Sequence, residues 1–382
     1  MFRLKHHRQL STAVNEITVH TVRPQVPLVA SSQQQYSKKT RQEETEVLMK
    51  ALVRERFPVR SDWTLEEVRS LYNQPLLELV RDAGLVHRAY WSDAAEVQRC
   101  TLLSIKTGGC SENCRYCSQS QSYKTHVKPT RQMKVDEVLE AARRAKANGS
   151  SRFCMGAAWR ELGKKDKAFE DILDMVSQIK AEGLEVCATL GMLNEDQALR
   201  LKDAGLAAYN HNLDTSRDYY PSVVSTRTYD DRLNTIANVR KAGISVCSGG
   251  ILGLGEAHDD RVSLLQTYAT LDGGHPESLP INALVAVDGT PLEKNDAVDA
   301  LDMTRMIAAA RILLPKTMVR LSAGRLSFSE AEQATMFLAG ANSIFNGDKL
   351  LTTPNPNQDQ DTLLFHKLGI KGIKPKLQSA EL

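Results

Sequence analysis

The 382-residue sequence contains no run of 18 apolar residues, and its most apolar segments are interrupted by Arg or Lys. No membrane-spanning helix is therefore expected. Glycine and proline are not in excess, so a packed globular enzyme is the expectation. Cysteine is sparse as well. Seven in a chain this size make no secreted disulfide framework, and clustered thiols in a reducing compartment point to metal or catalysis. Acidic residues are nearly missing from positions 1–42, where seven Lys or Arg face Glu16 alone. The net charge of +3 thus divides into +6 for this leader and −3 for the remainder. The folded part offers no electrostatic case for nucleic-acid binding. The leader is scattered with Ser, Thr and Gln and opens on Met1-Phe2-Arg3-Leu4-Lys5, the composition of a mitochondrial transit peptide. A disordered tail is the alternative.

What is present is organised around Gly108-Gly109-Cys110-Ser111-Glu112-Asn113-Cys114-Arg115-Tyr116-Cys117. A C-x3-C-x2-C spacing can fold back and offer three thiolates to one soft metal centre, and the glycines permit the tight path. A closed structural site takes four protein ligands, whereas a reactive centre keeps one position open. No fourth Cys follows at ferredoxin spacing. A zinc knuckle completed by His126 is the competing reading.

Residues 43–96 read as a helical extension. Thr64-Leu65-Glu66-Glu67 has the form of a capping box, and Pro75 is placed to open the next helix. From Val97 onward, short β-rich runs alternate with amphipathic helices. The strands are expected at 101–106, 152–156, 185–190, 207–213, 245–251, 279–285, 318–323 and 343–345. Helices are expected near 134–148, 168–182, 195–204, 229–242, 258–271, 299–314, 328–339 and 361–367. Gly149, Gly183, Gly205 and Gly243 close similar helix stops. Eight such units predict a (β/α)8 TIM-type barrel over 97–368 behind the helical extension, with 369–382 as a tail. An open doubly wound sheet is the alternative.

A barrel places its active site at the C-terminal strand ends. The three-cysteine loop follows the first strand, and Cys154, Cys187 and Cys247 lie in the second, third and fifth. Singly, each reads as small buried filling; together they can line one interior and hold a second metal centre. Arg320 lies in the seventh strand, though a guanidinium has no lone pair and reads first as an anion clamp. Cys100, at the start of the first strand, reads as a core residue on the stability face. Asn210, Asn212 and Asp214 alternate and are expected to face one side, bonding one another or a polar ligand. The glycine-rich end at Gly249, Gly250 and Ile251 suits close approach of a flat ligand and is no dinucleotide fingerprint. Asn282 falls in the sixth strand. Tyr116 can stack on a base, Arg232 can pair with a carboxylate, and Thr352 or Thr353 can bind one.

These segments together resemble the biotin synthase family of the radical S-adenosylmethionine (SAM) superfamily, from about residue 60 to about residue 368. The resemblance rests on 108–119, Arg-Phe-Cys-Met-Gly-Ala-Ala-Trp at 152–159, Tyr-Asn-His-Asn-Leu-Asp-Thr at 209–215, Val-Cys-Ser-Gly-Gly at 246–250, Val-Arg-Leu-Ser-Ala-Gly-Arg at 319–325 and Ala-Gly-Ala-Asn-Ser-Ile-Phe at 339–345. It implies a [4Fe-4S] cluster on Cys110, Cys114 and Cys117 with SAM on its open iron. It implies a sulfur-donating [2Fe-2S] cluster on Cys154, Cys187, Cys247 and Arg320. By the same resemblance Asn212 and Asn282 meet the ureido group of dethiobiotin, Asp214 the ribose, Arg232 the methionyl carboxylate, and Thr352 or Thr353 the substrate carboxylate. It implies further a small iron–sulfur or flavin electron donor, cluster-assembly proteins, a homodimer and a mitochondrial matrix location. Another radical SAM enzyme, or a zinc or iron–sulfur protein without catalysis, are the remaining readings.

Overall fold

The computed structural model describes residues 30–163 and 166–373, without the side chains of 30–41. Most of the leader expected over 1–42 therefore lies outside the described residues. The described residues fall into two units divided after Leu48, and helix α1 (Ala30–Arg56) crosses that division.

In the larger unit, α2 (Leu65–Tyr72) begins at the expected capping box. The Thr64 Oγ1 accepts the Glu67 backbone N–H at 3.2 Å, and the Glu67 carboxylate takes the Thr64 N–H at 2.8 Å. Pro75 stands at the N-cap of α3 (Leu76–Tyr90), one position before the first helical residue. The buried faces of both helices, including Val68, Tyr72, Leu79 and Val86, join the main core.

The barrel then follows in order: β1 (Glu96–Lys106), α4 (Val135–Ala147), β2 (Arg152–Ala157), α5 (Asp166–Ala181), β3 (Glu185–Thr189), α6 (Glu195–Ala204), β4 (Ala208–Asn210), α7 (Tyr220–Val223), α8 (Tyr229–Lys241), β5 (Ser245–Cys247), β6 (Gly250–Leu252), α9 (His258–Ala269), β7 (Ser278–Ala283), α10 (Ala300–Leu313), β8 (Met318–Leu321), α11 (Glu330–Leu338), β9 (Ser343–Phe345), α12 (Gln358–Leu368) and β10 (Lys371–Gly372). All named strand pairs are parallel, and β1 pairs with both β2 and β9, so the sheet closes on itself. Counting β5 and β6 as two halves of one strand gives the expected eight-stranded barrel. The four predicted helix stops hold: Gly149, Gly183, Gly205 and Gly243 all have positive φ. Residues 371–372 add a short strand to the outer edge of β1 at Glu96 and Val97.

Three expectations are corrected. The fifth strand is not continuous over 245–251, because the chain bends at Ser248-Gly249 so that β5 and β6 each pair with β7. There the backbone runs so close to β7 that a Cβ on Gly249 would lie 1.8 Å from the Pro280 carbonyl oxygen. Gly249→Ala should therefore cost about 3 kcal/mol or more, seen as a lower denaturation midpoint and poor yield of folded protein.

The fourth strand is likewise shorter than 207–213. It ends at Asn210, and Asp214 sits in the left-handed region at φ 68; Asn210, Asn212 and Asp214 still face one cavity as expected, though strand alternation is not what brings Asp214 there. The third correction concerns Cys100. It is buried, as expected, but β1 starts at Glu96 rather than 101, so Cys100 lies within the strand and not at its outer end.

Candidate active site

The C-terminal strand ends surround one cavity of about 330 Å³, lined by Cys110, Cys114, Tyr116, Cys117, Cys154, Cys187, Asn210, Asn212, Asp214, Arg232, Cys247, Ile251, Asn282, Arg320, Thr352 and Thr353. Of the residues expected to bind a cluster, SAM or substrate, Gly250 is not part of the wall. Its carbonyl instead accepts the Asn282 amide at 2.9 Å. His126 is exposed and away from the cavity, so it does not complete a site with the cysteine loop.

The loop that bears the first three thiols is tied down on both sides. Cys110 N–H donates to Gln119 O at 2.9 Å, Gln121 N–H to Cys110 O at 2.8 Å, and Cys117 N–H to Cys114 O at 2.9 Å. Across the cavity, Arg115 N–H reaches Val223 O at 3.0 Å and Asn113 N–H reaches Thr226 Oγ1 at 3.2 Å. Glu112, 2 % exposed, faces Arg160 at 3.5 Å and Arg227 at 3.8 Å. Burial raises all three thiols, and Cys117 is pushed up to about 12, with the charge of Cys114 adding to the effect. Thiolates here need a cation beside them.

Asp214 is the hub on the opposite wall. It accepts the Tyr116 hydroxyl at 3.0 Å and pairs with Arg232, both side chains being almost fully buried. Its backbone pairs with the glycine-rich end: Asp214 N–H to Gly249 O at 3.1 Å, and Ile251 N–H to Asp214 O at 2.8 Å. Arg232 also donates to Asn212 O at 2.7 Å and the Tyr220 hydroxyl at 2.9 Å, so its charge and its donors already serve the protein. Arg227 is different. Its side chain is 8 % exposed, and its Nε and Nη1 have no hydrogen-bond partner. The sequence reading passed over it, although it stands only five residues before Arg232.

Deeper in the barrel is a layer of sulfur. Cys154 on β2 is directly opposite Cys187 on β3, and Cys247 on β5 is opposite Asn210. Asn210 Nδ2 donates to Asn212 Oδ1 at 3.0 Å and lies 3.4 Å from Cys247 Sγ. Cys154 and Cys187 share one buried cluster, and the neighbouring thiols of Cys154 and Cys247 hold the Cys187 thiol well below its usual range. The Arg320 guanidinium reaches Cys247 Sγ at 3.7 Å, Ser343 Oγ at 2.9 Å and Gln98 Oε1 at 3.3 Å. Burial works against its charge, but the neighbouring thiolates outweigh burial and hold it above its usual value. Cys100 joins this layer: its sulfur is 3.3 Å from Arg320 Nη2. So does Arg152, whose buried guanidinium faces the thiols of Cys100, Cys187 and Cys154. The sequence placed Cys100 in the core on the stability face and did not single out Arg152.

Thr352 closes the cavity mouth, its hydroxyl 2.9 Å from Ser118 in the cysteine loop. Among the described residues, no group of three or more His, Cys, Asp or Glu is arranged for a single metal ion. Clusters of several irons spread their thiolate ligands more widely. Two separate thiol sets, one at the mouth and one on the floor, have the donor chemistry such groups require.

Residues 104–267 match the model of the radical SAM superfamily, and residues 280–371 match the biotin and thiamin synthesis associated domain. The mitochondrial biotin synthase of Arabidopsis thaliana is 60 % identical over 81 % of this chain and 82 % of its own length. The chain belongs to the biotin synthase family. The biotin synthase of Myxococcus xanthus is 58 % identical over 83 % of this chain and 91 % of its own, and that of Schizosaccharomyces pombe 55 % over 83 % and 87 %. Membership in the family makes the chain a radical SAM enzyme with iron–sulfur chemistry. Among solved structures, methylornithine synthase superposes with a TM-score of 0.69 at 18 % identity, covering 86 % of this chain and 98 % of its own. HydG, a maturase of the [FeFe]-hydrogenase, gives 0.71 at 18 % identity over 90 % and 79 %. These two likenesses concern the fold alone.

Proposed function

We propose that the chain inserts sulfur into dethiobiotin to form biotin, using an outer cluster on Cys110, Cys114 and Cys117 and an inner one on the sulfur layer. The observation that carries this reading is the pair of thiol sets at two depths of one cavity. When bound, the outer [4Fe-4S] cluster with SAM supplies a 5′-deoxyadenosyl radical, and the inner [2Fe-2S] cluster supplies sulfur. The protein's own part is positioning and exclusion. Asp214, fixed by Tyr116 and Arg232, offers carboxylate oxygen to a ribose hydroxyl. Asn212 and Asn282 present amides to a ureido group, and Thr352 with Thr353 present hydroxyls to a carboxylate at the mouth. Closed barrel walls keep water from a reactive carbon centre. Arg320 with Cys154, Cys187 and Cys247 completes the inner site.

Arg227 supports a more specific assignment. Its Nε and Nη1 make no hydrogen bond, and its Nε stands 3.8 Å from Glu112, whereas the Arg232 guanidinium is hydrogen-bonded to Asp214; Arg227 therefore suits the methionyl carboxylate better. Arg227→Gln should weaken SAM binding to the unreduced, cluster-loaded protein by about tenfold to a hundredfold, the worth of a charged hydrogen bond. Equilibrium dialysis reads this directly, and an unchanged affinity would return the carboxylate to Arg232.

The deciding experiment is anaerobic reconstitution followed by incubation with dethiobiotin, SAM and a low-potential reductant, with biotin and 5′-deoxyadenosine both measured. Biotin is the expected product. Formation of 5′-deoxyadenosine without biotin would point instead to a radical SAM enzyme with another small substrate. The basic leader, together with the relative named as mitochondrial, supports import into the mitochondrial matrix. A fusion of residues 1–42 to a fluorescent protein tests this, and diffuse cytosolic signal would oppose it.

A further inference from the structure

Four thiols, not three, meet on the barrel floor. Cys100, Cys154 and Cys187 pack in one buried cluster, with Cys154 and Cys187 directly opposite on neighbouring strands. The Arg320 guanidinium spans the remaining gap, with Nη1 on Cys247 Sγ at 3.7 Å and Nη2 on Cys100 Sγ at 3.3 Å. One cation thus bridges Cys247 and Cys100 across the sulfur layer. In this arrangement Arg320 acts as a hydrogen-bond donor at each nitrogen: Nε serves Ser343, Nη1 serves Cys247, and Nη2 serves Gln98 and Cys100. A protonated guanidinium has no lone pair to give to iron. The thiol it touches gives, once deprotonated, the softer and stronger ligand.

Two neighbours hold Cys100 in place. Its sulfur donates to Gln98 Oε1 at 3.4 Å and lies 3.9 Å from Ser343 Oγ. Gln98 and Ser343 are also partners of Arg320. The two candidate ligands thus share one polar cradle on the same side of the sulfur layer.

We propose that Cys100 is the reserve fourth ligand of the inner cluster, the thiolate that takes the iron position whenever Arg320 leaves it. The inference rests on the inner cluster of the proposed function. The exchange balances as it stands: an iron–nitrogen bond breaks, an iron–sulfur bond forms, and the thiol proton passes to the departing guanidine. No electron moves. A cluster that gives up sulfur would then have a fixed ligand to hold its remaining iron while sulfide is replaced.

The test compares the unaltered protein with Arg320→Met, Cys100→Ser and the double variant, each reconstituted anaerobically. Iron, sulfide and resonance Raman spectra are measured, without reference to turnover. Arg320→Met should keep the inner site's quota of about two irons and two sulfides, with the iron–sulfur stretching pattern of four thiolates. The double variant should lose that quota while keeping the outer cluster. An Arg320→Met protein without inner iron, or a double variant indistinguishable from it, would overturn the proposal. Should the Arg320 variants fail to fold, Cys100→Ser alone decides. A chelator should then strip its inner site about tenfold faster than in the unaltered protein, and an equal rate would overturn the proposal. Unaltered protein that binds only the outer cluster would remove the inner-cluster reading and this inference together.

Discussion

Cys114→Ser should abolish SAM cleavage while leaving the barrel folded and the inner site loaded. Cys114 is buried at the base of a loop whose backbone is fixed by Gln119, Val223 and Thr226, so a nearly isosteric serine disturbs little packing. In the proposed function it removes one of the three thiolates offered to the outer cluster. Disturbing merely the hydrogen-bond partner of a metal ligand costs about 10–100-fold, and loss of the ligand itself should exceed this, taking 5′-deoxyadenosine formation to background. Cys187→Ser should give the complementary defect, with 5′-deoxyadenosine still produced but no biotin. Product analysis of the two variants side by side separates the two thiol sets by role. Equal loss of both products in both variants would mean that the sets do not act separately.

Asp214→Asn is the second large effect, and it falls on stability as well as on activity. The Asp214 carboxylate and the Arg232 guanidinium are 1 % and 5 % exposed, so neither can turn to water when the other is neutralised. Stranding a buried cation in this way costs about 3–5 kcal/mol, a fall in melting temperature on the order of 5–10 °C. Asparagine is the informative replacement because it tolerates the left-handed backbone that Asp214 adopts, so the loss reports the charge alone. Asp214→Ala should cost about 1 kcal/mol more. Calorimetry on both variants checks the order. A melting temperature unchanged in Asp214→Asn would mean that water or another anion already compensates Arg232.

Much of this architecture was legible in the chain because it is written in local chemistry. Glycine at the helix stops answers a backbone requirement that few other residues meet, and Thr64 with Glu67 is a self-contained cap. The strand-borne cysteines were legible as a set, since their positions in the second, third and fifth strands imply one interior. What escaped was non-local. Whether Arg227 or Arg232 keeps free donors depends on Asp214, which the bend after β4 carries to Arg232. The place of Cys100 hinged on where β1 begins, and the added residues 96–100 are held by pairing with β9 and β10 rather than by their own propensity. The break at Ser248-Gly249 follows from the approach of Pro280, thirty-odd residues downstream.

The seam between β1 and β9 has a consequence for biogenesis. Gln98 and Ser343, which meet there, are 245 residues apart in the chain. A contact so remote forms slowly, because the loop it closes is long. Until β9 emerges, the layer of sulfurs has an open side. During that interval the thiols buried on the floor of the finished barrel are open to solvent and to oxygen.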